Sequence, residues 1–195
     1  MGKLQAAYPG FRPVLFHSPY EAAAWAIVAT RRPASQARQV RRNIAEELGA
    51  VFDLEGERAA AFPTPERLAD IQAMPGVDPR RVERLRAVAS AAMDGRLDAV
   101  ALAARGPEEA AASVRTIPGI GEFYSGLIAY RSVGFVDSLN ARDPSSLRCA
   151  EHFYSLAQTP TPDEFRARAD RWRPFRSWAA VLLRQAGFRD GITSR

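Results

Sequence analysis

The chemistry open to this chain is bounded first by what it lacks. It has one cysteine, Cys149, one lysine, Lys3, and two histidines, His17 and His152. A single thiol excludes an intramolecular disulfide framework, a Cys-rich zinc site and a four-cysteine iron–sulfur cluster. A Schiff-base mechanism needs an amine inside a pocket. The only amines are Lys3 and the chain's own N-terminus, in a segment that reads as frayed. Both histidines read as structural. Asp143 followed by Pro144 has the pattern of a helix N-cap with proline at the first helical position. The positive end of a helix favours the ionised form of such a carboxylate. A carboxylate fixed in this way can stabilise positive charge that develops on a reacting group, or orient an attacking water. Asp137 stands in the preceding loop, where a structural turn is the better reading.

A second set of residues concerns anions. All but one of the 27 Lys and Arg residues are arginine, and arginine makes forked contacts to phosphate that lysine cannot match. Genomic base composition accounts for the same bias. The run Arg31 to Arg42 holds five arginines and no acid, so Arg38, Arg41 and Arg42 on one helix could follow phosphates and make binding salt-dependent; a merely solvated face has the same pattern. In Arg115-Thr-Ile-Pro-Gly-Ile-Gly-Glu-Phe-Tyr124, helical sequence flanks Pro118, Gly119 and Gly121. The two glycines would permit positive φ and close approach of another backbone. The amides from Gly119 to Glu122 would face outward at a helix N-terminus suited to an anion, with Ile117 and Ile120 anchoring the turn. An ordinary helix–turn–helix connection is the alternative.

The elements that must position these groups are nearly all helices. Ser18-Pro19 caps a run with Tyr20, Ala24, Ile27 and Val28 on its apolar side, broken near Thr30-Arg31-Arg32-Pro33. Helical spacing resumes from Ser35 to Leu48 and Gly49 ends it. Further helices are predicted from Thr64-Pro65 to Pro75-Gly76, from Asp78-Pro79 through Ala92, over Leu97–Ala104, Pro107–Arg115 and Gly121–Val133, and from Asp143-Pro144, Pro162-Asp163 and Pro174-Phe175. Strand signals are confined to Val51–Leu54 and Pro13–Phe16. Trp25 reads as core. The fold class is therefore all-α, with about ten helices.

Composition agrees with a globular protein: 47% apolar, 25% charged, net charge +5. No apolar run approaches the roughly 18 residues of a membrane helix, and residues 1–10 lack a signal pattern. A cytoplasmic protein is expected.

Three blocks carry a family resemblance. They are Ser18-Pro-Tyr-Glu-Ala-Ala-Ala-Trp-Ala-Ile-Val28 with the helix that follows to Gly49; Ile117-Pro-Gly-Ile-Gly121 with Asp143 downstream; and Arg171-Trp-Arg-Pro-Phe-Arg-Ser-Trp-Ala-Ala180. In order and spacing they resemble the helix-hairpin-helix DNA glycosylases, specifically the 3-methyladenine DNA glycosylase II branch, from about Pro13 to Arg184. The resemblance implies a two-lobed helical fold with a DNA cleft between the lobes, without the N-terminal β-rich domain of larger members. Residues 1–195 would form one two-lobed unit, with a central lobe over about 20–135 that includes the hairpin 117–121. The second lobe would comprise 1–19 and 136–195.

The activity implied is monofunctional excision of alkylated bases extruded from duplex DNA, leaving an abasic site. Asp143 takes the catalytic aspartate's place, and Glu122-Phe123 stands where bifunctional members carry a lysine. Ile117, Gly119, Ile120 and Gly121, with Arg31, Arg32 and Arg38, would contact DNA. Phe123, Leu127, Trp178 and Arg184 would line the base pocket. Arg31 falls near the family's apolar wedge; Phe123 replaces a tryptophan, Leu127 a tyrosine and Arg184 another tryptophan. No metal or cofactor is expected beyond a monovalent cation at the hairpin, on the carbonyls of Ile117 and Ile120. The partner would be duplex DNA with alkylated bases, bound by a monomer associated with the nucleoid. The competing readings are a DNA- or damage-binding protein on the same fold without efficient chemistry, and a helical interaction protein that binds no nucleic acid.

Overall fold

The structure, a computed structural model, describes residues 1–193; positions 194 and 195 of the expected second lobe lie outside the described residues. The described residues form eleven α-helices and one two-stranded sheet, the mainly helical architecture expected. They divide into two units, one over Phe16–Val133 and the other over Met1–Leu15 with the described residues from Gly134 onward.

In the chain order of the first unit, α2 spans Pro19–Ala29, α3 Ala34–Leu48, β1 Val51–Leu54, β2 Glu57–Ala60, α4 Pro65–Ala69, α5 Pro79–Met93, α6 Ala99–Arg105, α7 Pro107–Arg115 and α8 Glu122–Val133. Local chemistry sets their starts. The Ser18 hydroxyl accepts the Glu21 amide of α2, Asp78 accepts the Arg81 amide of α5, and Asp98 accepts the Ala101 amide of α6. Helix α2 is the centre of this unit, packed on α3, α5 and α8. Its residues Ala22, Ala23, Ala24, Ala26, Ile27 and Val28 are all buried, so apolar residues surround the helix and alanines let its neighbours approach closely. Trp25, read as core, is only half-buried. Strands β1 and β2 pair antiparallel from Val51↔Ala60 to Leu54↔Glu57. Glu55 and Gly56, with φ of 55° and 87°, make the two-residue turn between them.

The second unit contains α1 (Gly2–Ala7), α9 (Pro144–Phe153), α10 (Pro162–Ala169), a 3-10 turn at Asp170–Trp172, and α11 (Arg176–Arg189). Its core comprises Ala141, Cys149, Ala150, Phe165, Ala169, Trp172, Ala179 and Leu183. Two expectations fail here and nearby. The segment around Lys3 is not frayed: it is helix α1, held by Met1 and Leu4 against that core, an anchorage the short sequence window does not reveal. Pro13–Phe16 is not a strand. Pro13 has no N–H to give a ladder, and Phe16 donates a single backbone bond, to the Arg131 carbonyl.

Candidate active site and nucleic-acid interface

Asp143 caps α9. Its Oδ1 accepts the Ser145 amide at 3.2 Å, and its Oδ2 accepts the Ser146 amide at 3.2 Å and the Ser146 hydroxyl at 2.6 Å. The Arg184 Nε lies 3.4 Å from the same Oδ2. Pro144 at N1 presets φ for the helix and lacks an amide that would need a partner. The side chain of Asp143 is 7% exposed and that of Arg184 39%. The carboxylate is thus enclosed while its ionic partner stays reachable. The carboxylate and Arg184 come together because α9 and α11 pack unusually closely: a Cβ built on Gly187 would lie 2.3 Å from the Cys149 sulfur. Gly187 is one turn beyond Arg184 on α11. The Cys149 thiol is pushed up by burial, which outweighs a hydrogen bond with Thr193 and the charge of Arg184; it is a packing group.

Asp137 does different work. Arg176 donates to its carboxylate from the backbone amide (3.2 Å), Nε (2.9 Å) and Nη2 (3.1 Å), and Arg173 adds Nη1 at 3.0 Å. Ser177 donates to the carbonyls of Phe135 and Ser138. Asp137 therefore caps α11 from another part of the chain, and the Arg-Ser pair of the third sequence block fastens the loop before Asp143 to the start of α11. Desolvation of the Asp137 carboxyl raises its pKa, and the hydrogen bonds and charge of Arg176, with Arg173, outweigh that and hold it below the ordinary value.

The turn between α2 and α3 carries Arg31 and Arg32. Arg31 is exposed and has φ 54°, rare for a residue with a Cβ. Arg32 donates to the Gly76 carbonyl at 2.7 Å. The conformation is held by Arg81, which sequence reasoning missed. Its Nη1 donates to the carbonyls of Ile27 (2.6 Å) and Val28 (3.2 Å), and its Nη2 to that of Thr30 (2.7 Å). Asp78 fixes the Arg81 Nε at 2.9 Å. Thr30 takes the Ala26 carbonyl with its amide and hydroxyl, and the Arg32 amide takes that of Ala29. Every C-terminal carbonyl of α2 is thereby satisfied. Burial pushes the Tyr124 phenol up, against its hydrogen bond with Thr30 and the charge of Arg81, which places α8 beside the same turn.

At the hairpin, Ile117 and Ile120 are buried and the Ile120 amide donates to the Ile117 carbonyl at 3.1 Å. Gly119 has φ 88°, and a Cβ there would lie 2.5 Å from Cδ of Arg84. Its left-handed conformation is what calls for glycine, since the exposed Arg84 side chain can move aside. Gly121 differs from expectation. Its φ is not positive, and a Cβ there would meet nothing within 4 Å. What it contributes is open space at the N-terminus of α8, where the amide end of a helix favours anions.

Of the expected pocket residues, Phe123 and Leu127 lie one turn apart on α8, both half-buried. Trp178 and Arg184 lie on α11 roughly 120° apart around its axis. Trp178 lines an open cavity of about 640 Å³ with Tyr8, Phe11, Phe175 and Leu182, and Arg12 lies 5.4 Å over its ring. Arg184 faces Asp143 instead. Along α3, Arg38 and Arg42 are exposed while Arg41 pairs with Glu21 at 2.8 Å. Both histidines are exposed. Among the described residues no cluster of three or more His, Cys, Asp or Glu could hold a metal, and no helix is long and apolar enough to cross a membrane.

No family model matches the chain. The chain is 30% identical over 191 residues to DNA-3-methyladenine glycosylase 2 of Escherichia coli K12; the match covers 94% of this chain and 63% of that protein. The chain therefore spans less than two thirds of that relative's length. Among solved structures it is similar to the 3-methyladenine DNA glycosylase of Schizosaccharomyces pombe, determined with abasic DNA: TM-score 0.78 at 20% identity, covering 100% of this chain and 93% of that one. It is also similar to the 3-methyladenine DNA glycosylase of Archaeoglobus fulgidus: TM-score 0.81 at 20% identity, covering 96% and 65%.

Proposed function

We propose that the chain is a member of the helix-hairpin-helix DNA glycosylase superfamily, on its 3-methyladenine DNA glycosylase II branch, and that it is a monofunctional glycosylase that hydrolyses alkylated bases from duplex DNA. The observation that carries this reading is the geometry of Asp143. Two backbone amides and the Ser146 hydroxyl hold the carboxylate in one orientation at a helix N-terminus. A carboxylate so held needs no reorganisation to stabilise the positive charge that grows on the deoxyribose as the base departs. The hydrolysis adds water across the bond: the C1′–N bond breaks, its electron pair leaves with the base, and the water oxygen bonds C1′. For an N-alkylated purine the base leaves neutral and the water's proton passes to solvent, so no acidic side chain is required. No lysine is available to form an imine with the abasic sugar except Lys3, and the product is an intact strand with an abasic site.

DNA would be held by the backbone at Gly119 and Gly121, by the N-terminus of α8, and by the exposed Arg31, Arg38 and Arg42. Arg31, kept in a left-handed conformation by the Arg81 bonds, would occupy the space vacated by the extruded nucleotide. A monovalent cation at the hairpin suits the carbonyl oxygens of Ile117 and Ile120: that of Ile117 accepts one N–H and keeps a second lone pair. Bound there, the ion would supply positive charge for a DNA phosphate.

A second reading, a damage-binding protein with weak or no chemistry, draws support from Arg184, which compensates the charge of the carboxylate on which hydrolysis depends. Incubation of alkylated duplex DNA with the protein in single-turnover excess separates the two. Free base with abasic sites cleavable only by added alkali supports the glycosylase; salt-sensitive binding without base release supports the second reading. Strand cleavage by the protein that survives Lys3→Ala contradicts the monofunctional assignment.

A further inference from the structure

We propose that Arg184 sets the charge of the base this site accepts, matching it to neutral adducts such as 1,N6-ethenoadenine rather than to cationic N-alkyl purines; the inference rests on the glycosylase reading above. The observation is the ion pair between Arg184 Nε and Asp143 Oδ2 at 3.4 Å, with the carboxylate enclosed and the guanidinium partly open. The pair is built in. Close packing of Gly187 against Cys149 fixes α11 on α9, and the Ser146 hydroxyl with two amides fixes the carboxylate. The Arg184 Nε lies against the Asp143 carboxylate, and the guanidinium carries five N–H donors in all.

The consequence follows from how charge moves during the two reactions. A cationic base carries +1 before the bond breaks, and that charge migrates to the sugar as the base becomes neutral. A lone carboxylate favours this migration, and a guanidinium beside it opposes both binding of the cation and growth of charge on the sugar. A neutral base starts with no charge. As the C1′–N bond breaks, the pair of electrons goes to the base and the sugar becomes positive, so the transition state is a dipole. Asp143 then faces the positive end and Arg184 supplies hydrogen-bond donors for the negative end. Water adds its oxygen to C1′ and its proton neutralises the departing base. The Asp143–Arg184 couple thus fits the dipolar path.

The test is single-turnover release of 1,N6-ethenoadenine and of 7-methylguanine from otherwise identical duplexes, by wild type, Arg184→Gln and Arg184→Lys. Arg184→Gln is expected to slow ethenoadenine release by roughly tenfold and to speed 7-methylguanine release, since one unit charge near the reacting atoms is worth roughly a factor of ten. Arg184→Lys should keep the wild-type preference. Loss of both activities by the same factor, with the unfolding midpoint unchanged, overturns the proposal, as does faster ethenoadenine release by Arg184→Gln. If wild type releases neither base, the glycosylase reading fails and binding decides the charge argument. Arg184→Gln should then tighten binding to a duplex with a cationic pyrrolidine abasic analogue about tenfold relative to the neutral tetrahydrofuran analogue; an unchanged ratio overturns it.

Discussion

Replacing Arg81 with methionine removes the group that ties the Arg31 turn to α5 while keeping most of the side-chain volume. In the folded protein the guanidinium donates to the carbonyls of Ile27, Val28 and Thr30, and its side chain is 15% exposed. A hydrogen bond from a charged donor contributes about 1.5–3 kcal/mol. A cation at a helix C-terminus adds about 0.3–1 kcal/mol. The three bonds share one guanidinium and do not add independently, so we expect a loss of about 3–4 kcal/mol, close to the cost of stranding two or three carbonyls away from water. For a chain of this length that lowers Tm by about 6–16 °C. Urea unfolding by circular dichroism measures the loss, with Arg80→Met as the control. Arg80 is exposed, and its replacement should cost less than about 0.5 kcal/mol. Limited trypsinolysis provides a local reading, since the Arg31–Arg32 bond lies in the turn itself while the Arg32–Pro33 bond resists trypsin; cleavage after Arg31 should accelerate in Arg81→Met. A loss below about 1 kcal/mol, with the cleavage rate unchanged, would refute the idea that Arg81 holds the turn.

Gly119→Ala should weaken duplex binding and reduce stability by about 1–2 kcal/mol for the left-handed backbone; Gly121→Ala, which meets open space, should leave stability nearly unchanged, and both are read by fluorescence anisotropy and thermal melts. The depressed pKa of Asp137 gives stability that is fully present above the ordinary carboxylate pKa near 4 and is lost as pH falls through the lower folded value, so Asp137→Asn should flatten the acid limb of a stability–pH curve below about pH 4. Gly187→Ala should destabilise by about 1–3 kcal/mol through overpacking, and Cys149→Ala in the same chain should recover much of that loss in urea titrations. The Cys149 thiol, buried and pushed up in pKa, should resist a disulfide reagent at pH 8 until the protein is unfolded.

What the sequence made legible was local. Ser18-Pro19, Asp78-Pro79 and Asp143-Pro144 declare helix starts because cap and first turn lie within four residues of each other, and all three caps form. Gly119 was legible for the same reason. The pairings that make the site were not. Arg81 reaches carbonyls more than 50 positions away, Arg176 reaches Asp137 across 39, and Arg184 meets Asp143 only because α11 closes on α9 at Gly187. A side chain that bonds a distant backbone leaves no periodic trace, and one arginine among so many carries no mark of its partner. The Trp178 expectation shows the same limit: helical spacing places Trp178 and Arg184 on one element, and only the packing of that element shows that they face different neighbours.

Single-turnover base release from alkylated duplex DNA by wild type, Asp143→Asn and Asp137→Asn, with each variant's unfolding midpoint measured alongside, tests the central claim most directly. Asp143→Asn should abolish release with the fold retained, and Asp137→Asn should lose stability while keeping release wherever it remains folded. Equal release by wild type and Asp143→Asn, or loss confined to a folded Asp137→Asn, would contradict the assignment of the chemistry to Asp143.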